Sequence, residues 1–172
     1  MRCVSIGSMK KLTFITGNIH KAKYLSDYFH MPVDHLKLDI PEIQSLSLEE
    51  IVKDKAQRAY EVAGVPVLVE DVSLVFNALN ELPGPLIKWF LQSLGNEGLS
   101  NLVSLHKDKT ALATVAFALC DEHGVRTFTG SVEGSISEKP RGENGFGWDA
   151  VFIPKGYQKT WARVQPFVPK RI

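Results

Sequence analysis

Cysteine is nearly absent from this chain, with only Cys3 and Cys120 in 172 residues. Two thiols make neither a disulfide framework nor a zinc site. Both read as free thiols of a reducing compartment, so the expected location is the cytoplasm. Also missing is any apolar run approaching the ~18 to 20 residues needed to cross a bilayer. The opening stretch from Met1 to Met9 is too weakly apolar for a signal peptide. A soluble, unexported protein with no membrane partner is expected. Charge of one sign is lacking as well: 20 Lys and Arg stand against 19 Asp and Glu, a net charge of +1. That balance excludes the broad basic footprint that duplex nucleic acid requires. Any anionic ligand must be held by local charges, and no nucleic-acid partner is expected. Internal repeats and low-complexity segments are missing too.

What is present suits one sizeable core. A chain of this length with 44% hydrophobic residues falls in the usual range of a single domain, here with room for two lobes. Residues 1–9 are expected to be a disordered or tag-like leader. Leu12 to Thr16 is a short apolar run ending at Gly17-Asn18, the pattern of a buried strand and a tight turn. His20 to Phe29 reads as helix and Val33 to Ile40 as an extended stretch that Pro41 stops. Ser47-Leu48-Glu49-Glu50 has the S-x-x-E form of a capping box, followed by Ile51, Val52, Ala56, Ala59 and Ala63 at helical spacing. Val65 to Val69 is a strand candidate delivering Glu70 and Asp71 at its C-terminal end. Two short helices, Ile87 to Leu94 and Gly98 to Leu105, are expected on either side of Gly95-Asn96. Ala111 to Cys120 and Val125 to Ser131 flank Asp121-Glu122-His123-Gly124 as a β-hairpin, with Val132 to Ile136 continuing the second strand. A glycine-punctuated loop precedes a last strand, Val151 to Ile153. Helices alternating with early strands, then a run of antiparallel strands, predict an α/β fold with a mixed sheet.

Three groups of residues could carry chemistry. Thr16-Gly17-Asn18-Ile19-His20-Lys21 places a glycine turn between a strand and a helix N-terminus, where backbone N–H groups and a dipole end favour a phosphate. Lys21 would face that anion from the first helical turn, although such turns are common and a lysine there often only meets solvent. The stretch is not a Walker P-loop, which needs a lysine followed by Ser or Thr after two spaced glycines. Glu42, Glu70 and Asp71 form an acidic set suited to Mg²⁺, which takes one or two carboxylates plus phosphate oxygens and waters. The same carboxylates could instead cap helices or end strands. One beside bound metal could accept a proton from an attacking water. Phe146-Gly147-Trp148-Asp149 carries two aromatics and a carboxylate on a bent loop, which suits a purine pocket or, equally, a plug for the core. Lys55 and Lys88 are either further anion ligands or snorkelling surface lysines. His20, His30 and His35 lack metal-site spacing, and Ser73 lacks the G-x-S-x-G context of a hydrolase nucleophile.

Taken together, TGNIHK (Thr16 to Lys21), PVLVEDVSL (Pro66 to Leu74), LPGPLIKWF (Leu82 to Phe90) and FGWDAVFIPKGYQKT (Phe146 to Thr160) resemble the inosine triphosphate pyrophosphatase family. The match covers roughly residues 11 to 162, and LPGP with IKWF is similar to its eukaryotic-type branch. The resemblance implies an elongated α/β protein with two lobes and a central cleft, usually a homodimer. Its reaction converts ITP, dITP or XTP to the monophosphate and pyrophosphate with Mg²⁺, for which Mn²⁺ can substitute. By motif, the triphosphate falls to Thr16, Gly17, Asn18, Ile19, His20 and Lys21, with Lys55 and Lys88 on the phosphate side. Glu42 and Asp71 would hold metal, and Asp71 would orient or deprotonate water, with Lys21 as its catalytic partner. Val72 would line the substrate site, and Phe146, Gly147, Trp148 and Asp149 the base. The physical logic agrees, since scission between α and β phosphates needs charge neutralisation and a positioned water.

The resemblance departs at the end. Family members continue from the K-T-x-A segment through a glutamate and a lysine to Ser-His-Arg, which helps grip the base. Here Arg163 follows Ala162, Pro169 falls near the usual lysine, and no Ser-His-Arg appears. Residues 163–172 are therefore expected to be an atypical, truncated or altered tail. A nucleotide-binding protein that has lost turnover is the alternative this departure raises.

Overall fold

The computed structural model of the chain describes residues 12–17 and 19–164, with only the backbone of His20. Asn18, the expected leader at 1–9 and residues 165–172 of the tail lie outside the described residues. The elements run β1 (Leu12–Ile15), α1 (Ile19–Phe29), β2 (Val33–Leu36), α2 (Leu48–Ala63), β3 (Val67–Phe76), β4 (Pro83–Gly84), α3 (Ile87–Leu102), β5 (Thr110–Asp121), β6 (Gly124–Ile136) and β7 (Phe152–Pro154). Among the described residues they make one seven-stranded mixed sheet in the order β2-β1-β3-β5-β6-β7, with β4 paired to β3. The expected α/β fold with a partly antiparallel sheet and helices is what forms.

The topology follows from the connections. β1 pairs in parallel with both β2 and β3, and a parallel pair needs a crossover long enough to return the chain. α1 lies between β1 and β2, and α2 between β2 and β3. β4 pairs antiparallel with β3, Leu74 opposite Gly84, and β7 pairs antiparallel with β6, Ser135 opposite Ile153. The chain divides into two compact units, the first running to Gln44 and including Glu49–Glu70 and Phe117–Phe128. The second contains Ser45–Leu48, Asp71–Ala116 and, among the described residues, 129–164.

In the first unit, Ala22 and Leu25, three residues apart on α1, face Phe14 of β1 and Leu68 of β3, with Phe117 and Leu119 packed alongside. α2 buries Ile51, Val52, Ala56 and Ala59 and turns its charges outward. Lys53–Glu49 at 2.6 Å and Arg58–Asp54 at 2.7 Å are both i, i+4 pairs that solvent screens and that add little to stability. Its position therefore rests on the apolar stripe. The second unit packs Leu74, Phe76, Ile87, Leu99, Trp148 and Phe152 into one core.

Several boundaries differ from expectation: β2 ends at Leu36 rather than running to Ile40, and α3 ends at Leu102 rather than Leu105. β3 does not stop at Val69 but runs to Phe76, because Leu74 and Phe76 beyond the two carboxylates are fully buried and keep the strand anchored. Glu70 and Asp71 are thus mid-strand. The two helices expected around Gly95-Asn96 form one element with a break: Gly95 has φ 65° and ψ −179°, a conformation that glycine adopts without a Cβ penalty.

Candidate active site

In the first unit, Thr16 closes β1, its N–H donating to the Leu36 carbonyl at 3.1 Å. The chain turns through exposed Gly17, and α1 begins at Ile19, which is exposed. Lys21 stands in the first turn of α1, as the strand-turn-helix reading predicts. A pocket of about 210 Å³ opens here, its polar lining formed by Thr16, Lys21, Glu42, Lys55 and Glu70 around Gly17. Leu38, Ile40 and Glu42, from the segment that follows β2, also line it.

The charges in this pocket are paired. Lys21 Nζ donates to Glu70 Oε1. Lys55 Nζ meets Glu42 Oε1 at 2.6 Å and donates to the Glu70 carbonyl at 3.2 Å. Two lysines against two glutamates leave these four groups without net charge, yet each pair can part. The oxygens suit a hard cation, and the ammonium groups suit phosphate. A lysine nitrogen now stands against each carboxylate, where a metal ion would be attracted.

Asp71, the covalent neighbour of Glu70, belongs to the second unit. Its Oδ1 accepts the Val72 N–H at 2.7 Å. Glu70 lines the pocket, and Asp71, the next residue along β3, is not among its lining residues. Which of two adjacent carboxylates enters the pocket is carried by no local sequence pattern.

The second unit holds the aromatic loop. Asp149 is 2% exposed; its Oδ2 accepts the Phe146 N–H at 2.8 Å, and its own N–H donates to the Phe146 carbonyl at 3.0 Å. These two bonds close the tight turn over Gly147–Ala150. Trp148 packs edge-to-face on Phe152, ring centroids 5.8 Å apart, and lies 5.7 Å from Trp161. The two aromatics of the loop therefore part company: Trp148 is a core residue at 7% exposure, and Phe146 is 49% exposed. Val72 lines a small groove with Thr114, Val132, Trp148 and Trp161. Lys88 is exposed at the start of α3, its Nζ 5.5 Å from the Trp89 ring centroid. Asn96 Nδ2 donates to the Gly147 carbonyl at 2.9 Å, a contact that the sequence hints at only through the helix break beside it. A roomier pocket of about 610 Å³ in this unit is lined by Glu133, Ser135, Lys155 and Tyr157 among others; Ile153 to Tyr157 of the fourth matching stretch reach it, but none of the candidate phosphate, metal or base residues does. The smaller pocket is the candidate site because two Lys–Glu pairs converge there beside the strand-turn-helix, whereas the larger one holds, among the described residues, the single pair Lys155–Glu133.

Fold and site together define a mixed α/β protein with a lysine- and carboxylate-lined strand-turn-helix pocket in one unit and a tryptophan-backed loop in the other. The Ham1 family profile matches residues 12–172, and the chain belongs to that family. It is 44% identical over 169 residues to an inosine triphosphate pyrophosphatase 2 of Trypanosoma cruzi, covering 96% of this chain and 86% of the relative. It is 46% identical over 158 residues to an inosine triphosphate pyrophosphatase of Tuber melanosporum, covering 89% and 84% respectively. Among solved structures, a nucleoside-triphosphatase / dITP/XTP pyrophosphatase from Mycobacterium abscessus superposes with TM-score 0.74 at 27% identity, over 91% of this chain and 90% of that one. A HAM1 protein from Coxiella burnetii shares the fold with TM-score 0.81 at 24% identity, over 92% and 88%.

Proposed function

We propose that this chain hydrolyses non-standard purine nucleoside triphosphates, ITP, dITP and XTP, to the monophosphate and pyrophosphate, and so removes them from the nucleotide pool. The observation that carries the reading is the pair of Lys–Glu contacts at the strand-turn-helix pocket, Lys21 with Glu70 and Lys55 with Glu42. The relatives named as inosine triphosphate pyrophosphatases support the substrate class.

Each residue then has a task. Thr16, Gly17 and Lys21 hold phosphate oxygens at the start of α1, where the helix end adds its partial positive charge. Lys55 contributes a second ammonium. Glu42 and Glu70 would hold Mg²⁺ or Mn²⁺, which when bound supplies charge neutralisation on the phosphates and a polarised water. The carboxylate oxygens of Glu42 and Glu70 are of the hard-donor kind that such a metal takes. Asp71 is the carboxylate we assign to the water, accepting its proton as the α–β anhydride bond breaks and pyrophosphate leaves. The sum is ITP plus water giving IMP, pyrophosphate and a proton. Phe146, exposed on its loop, offers a face for the base to stack upon. Discrimination against ATP rests on donors to O6 of a 6-keto purine, since a polar pocket facing an amino group would be left with unpaired groups. The protein is read as a homodimer of the cytoplasm.

The test is product analysis. Incubation with ITP and Mg²⁺ should yield IMP and pyrophosphate in equal amounts. IDP with inorganic phosphate would sink the pyrophosphatase assignment, and tight ITP binding with no product would favour the non-catalytic alternative.

A further inference from the structure

The base-side loop is held by a residue that no part of the reading above uses. α3 is broken at Gly95, and its two limbs grip the same glycine of the loop. From the first limb, Leu91 Cδ2 comes within 3.3 Å of the position a Cβ on Gly147 would take. The second limb starts with Asn96, whose Nδ2 donates to the Gly147 carbonyl at 2.9 Å across 51 residues of sequence. A helix unbroken at Gly95 would rotate the second limb and carry this amide off the loop, so the break and the contact belong to one device.

The amide is not a passive filler. A carbonyl only accepts, so the Gly147 oxygen fixes which end of Asn96 faces it. The other end, Oδ1, is then buried with no hydrogen-bond partner among the described residues. Burying an unpaired acceptor costs stability, and an apolar side chain here would avoid that cost. What asparagine provides at this place is the donor. Gly147 itself has φ 57°, and Phe146, immediately before it, carries the exposed ring. The loop is thus secured twice, from within by Asp149 on the Phe146 N–H and from outside by Asn96 on the Gly147 carbonyl.

We infer that Asn96 is a positioning residue that sets the Phe146–Asp149 loop, and through it the ring of Phe146, for a purine base. The inference deepens the proposed function and rests on it for the identity of the ligand, but the clamp itself is testable without any ligand. Asn96→Asp keeps the shape and replaces the donor with an acceptor, and Asn96→His restores an N–H at similar reach. In ligand-free protein, amide hydrogen exchange at Asp149 and Val151 should quicken about 3- to 10-fold in the aspartate variant, the worth of one hydrogen bond, and return towards the parent in the histidine variant. Unchanged exchange in the aspartate variant, or equal quickening in both, overturns the clamp. With ITP, the aspartate variant should raise KM by a similar factor, lower the ITP over ATP ratio of kcat/KM, and leave kcat within about 2-fold. Quickened exchange with KM and ratio unmoved overturns the role in base recognition. Absence of pyrophosphate release by the parent protein would strike the proposed function, while the exchange result still decides the clamp.

Discussion

Lys55→Met removes one ammonium from the first unit's pocket while keeping the length and apolar stem of the side chain. Nζ holds Glu42 Oε1 at 2.6 Å and the Glu70 carbonyl at 3.2 Å, so two acceptors lose that donor. The Lys55 side chain is 18% exposed and that of Glu42 is 37% exposed. Solvent screening on the glutamate side places the ion pair near the exposed end of the scale, about 1 kcal/mol, and the bond to the carbonyl adds about 1 kcal/mol more. The expected loss of about 2 kcal/mol corresponds to roughly 4 to 8 °C in Tm for a chain of this size. Ligand effects should have opposite signs. Glu42 no longer competes with a lysine, so Mg²⁺ alone should bind about 5-fold more tightly, the equivalent of about 1 kcal/mol. ITP should bind about 10-fold more weakly for want of a charge-assisted contact. Thermal unfolding of parent and variant, run with no ligand, with Mg²⁺ and with ITP in an Asp71→Asn background that does not consume it, reads all three. An unchanged Tm together with an unchanged response to ITP would refute the pairing and the phosphate role alike.

Asp71→Asn should lower kcat for ITP by about 10²- to 10⁴-fold, the usual weight of a general base, with KM within a few-fold; unaltered turnover in a stopped assay would move the water to Glu42 or Glu70. Ser100 is 1% exposed, and its Oγ has no hydrogen-bond partner among the described residues. Ser100→Ala should therefore leave Tm unchanged or raise it by a few degrees, and a fall of more than about 1 kcal/mol in a denaturant titration would reveal a partner such as a trapped water. The hydrogen bond from Lys155 holds the Glu133 carboxyl below its ordinary pKa, with the lysine charge adding to the effect. A carboxyl lowered by folding stabilises above its unfolded pKa and stops doing so as pH falls through the folded one. The small Tm deficit of Glu133→Gln near pH 7 should accordingly begin to shrink as pH falls below the ordinary glutamate pKa of about 4.3 and be lost through the lower folded one, and a deficit that persists in strong acid would contradict the pairing.

Much of this protein is written locally. The apolar run before Gly17, the amphipathic stripe of α2 and the turn chemistry of Asp121 to Gly124 each specify an element within a dozen residues, because backbone hydrogen bonding and burial of one face act at short range. The strand-turn-helix at Thr16 to Lys21 is legible for the same reason, and so is the break at Gly95, where a glycine interrupts a helical pattern. The extent of β3 was not, since two carboxylates in mid-strand mimic a strand end until Leu74 and Phe76 are seen buried beyond them. Tertiary structure alone decided which carboxylate lines the pocket, because only the packed chain brings Lys21 of α1 and Lys55 of α2 against Glu70. It also decided that Trp148 enters the core while Phe146 faces outward, as packing against Phe152 and Trp161 selects one ring of two similar ones. Asn96 reaches Gly147 only once α3 has folded across 51 residues of chain. A contact of that kind has no local signature: its energy arises when two distant segments meet, and only the packed chain brings them together.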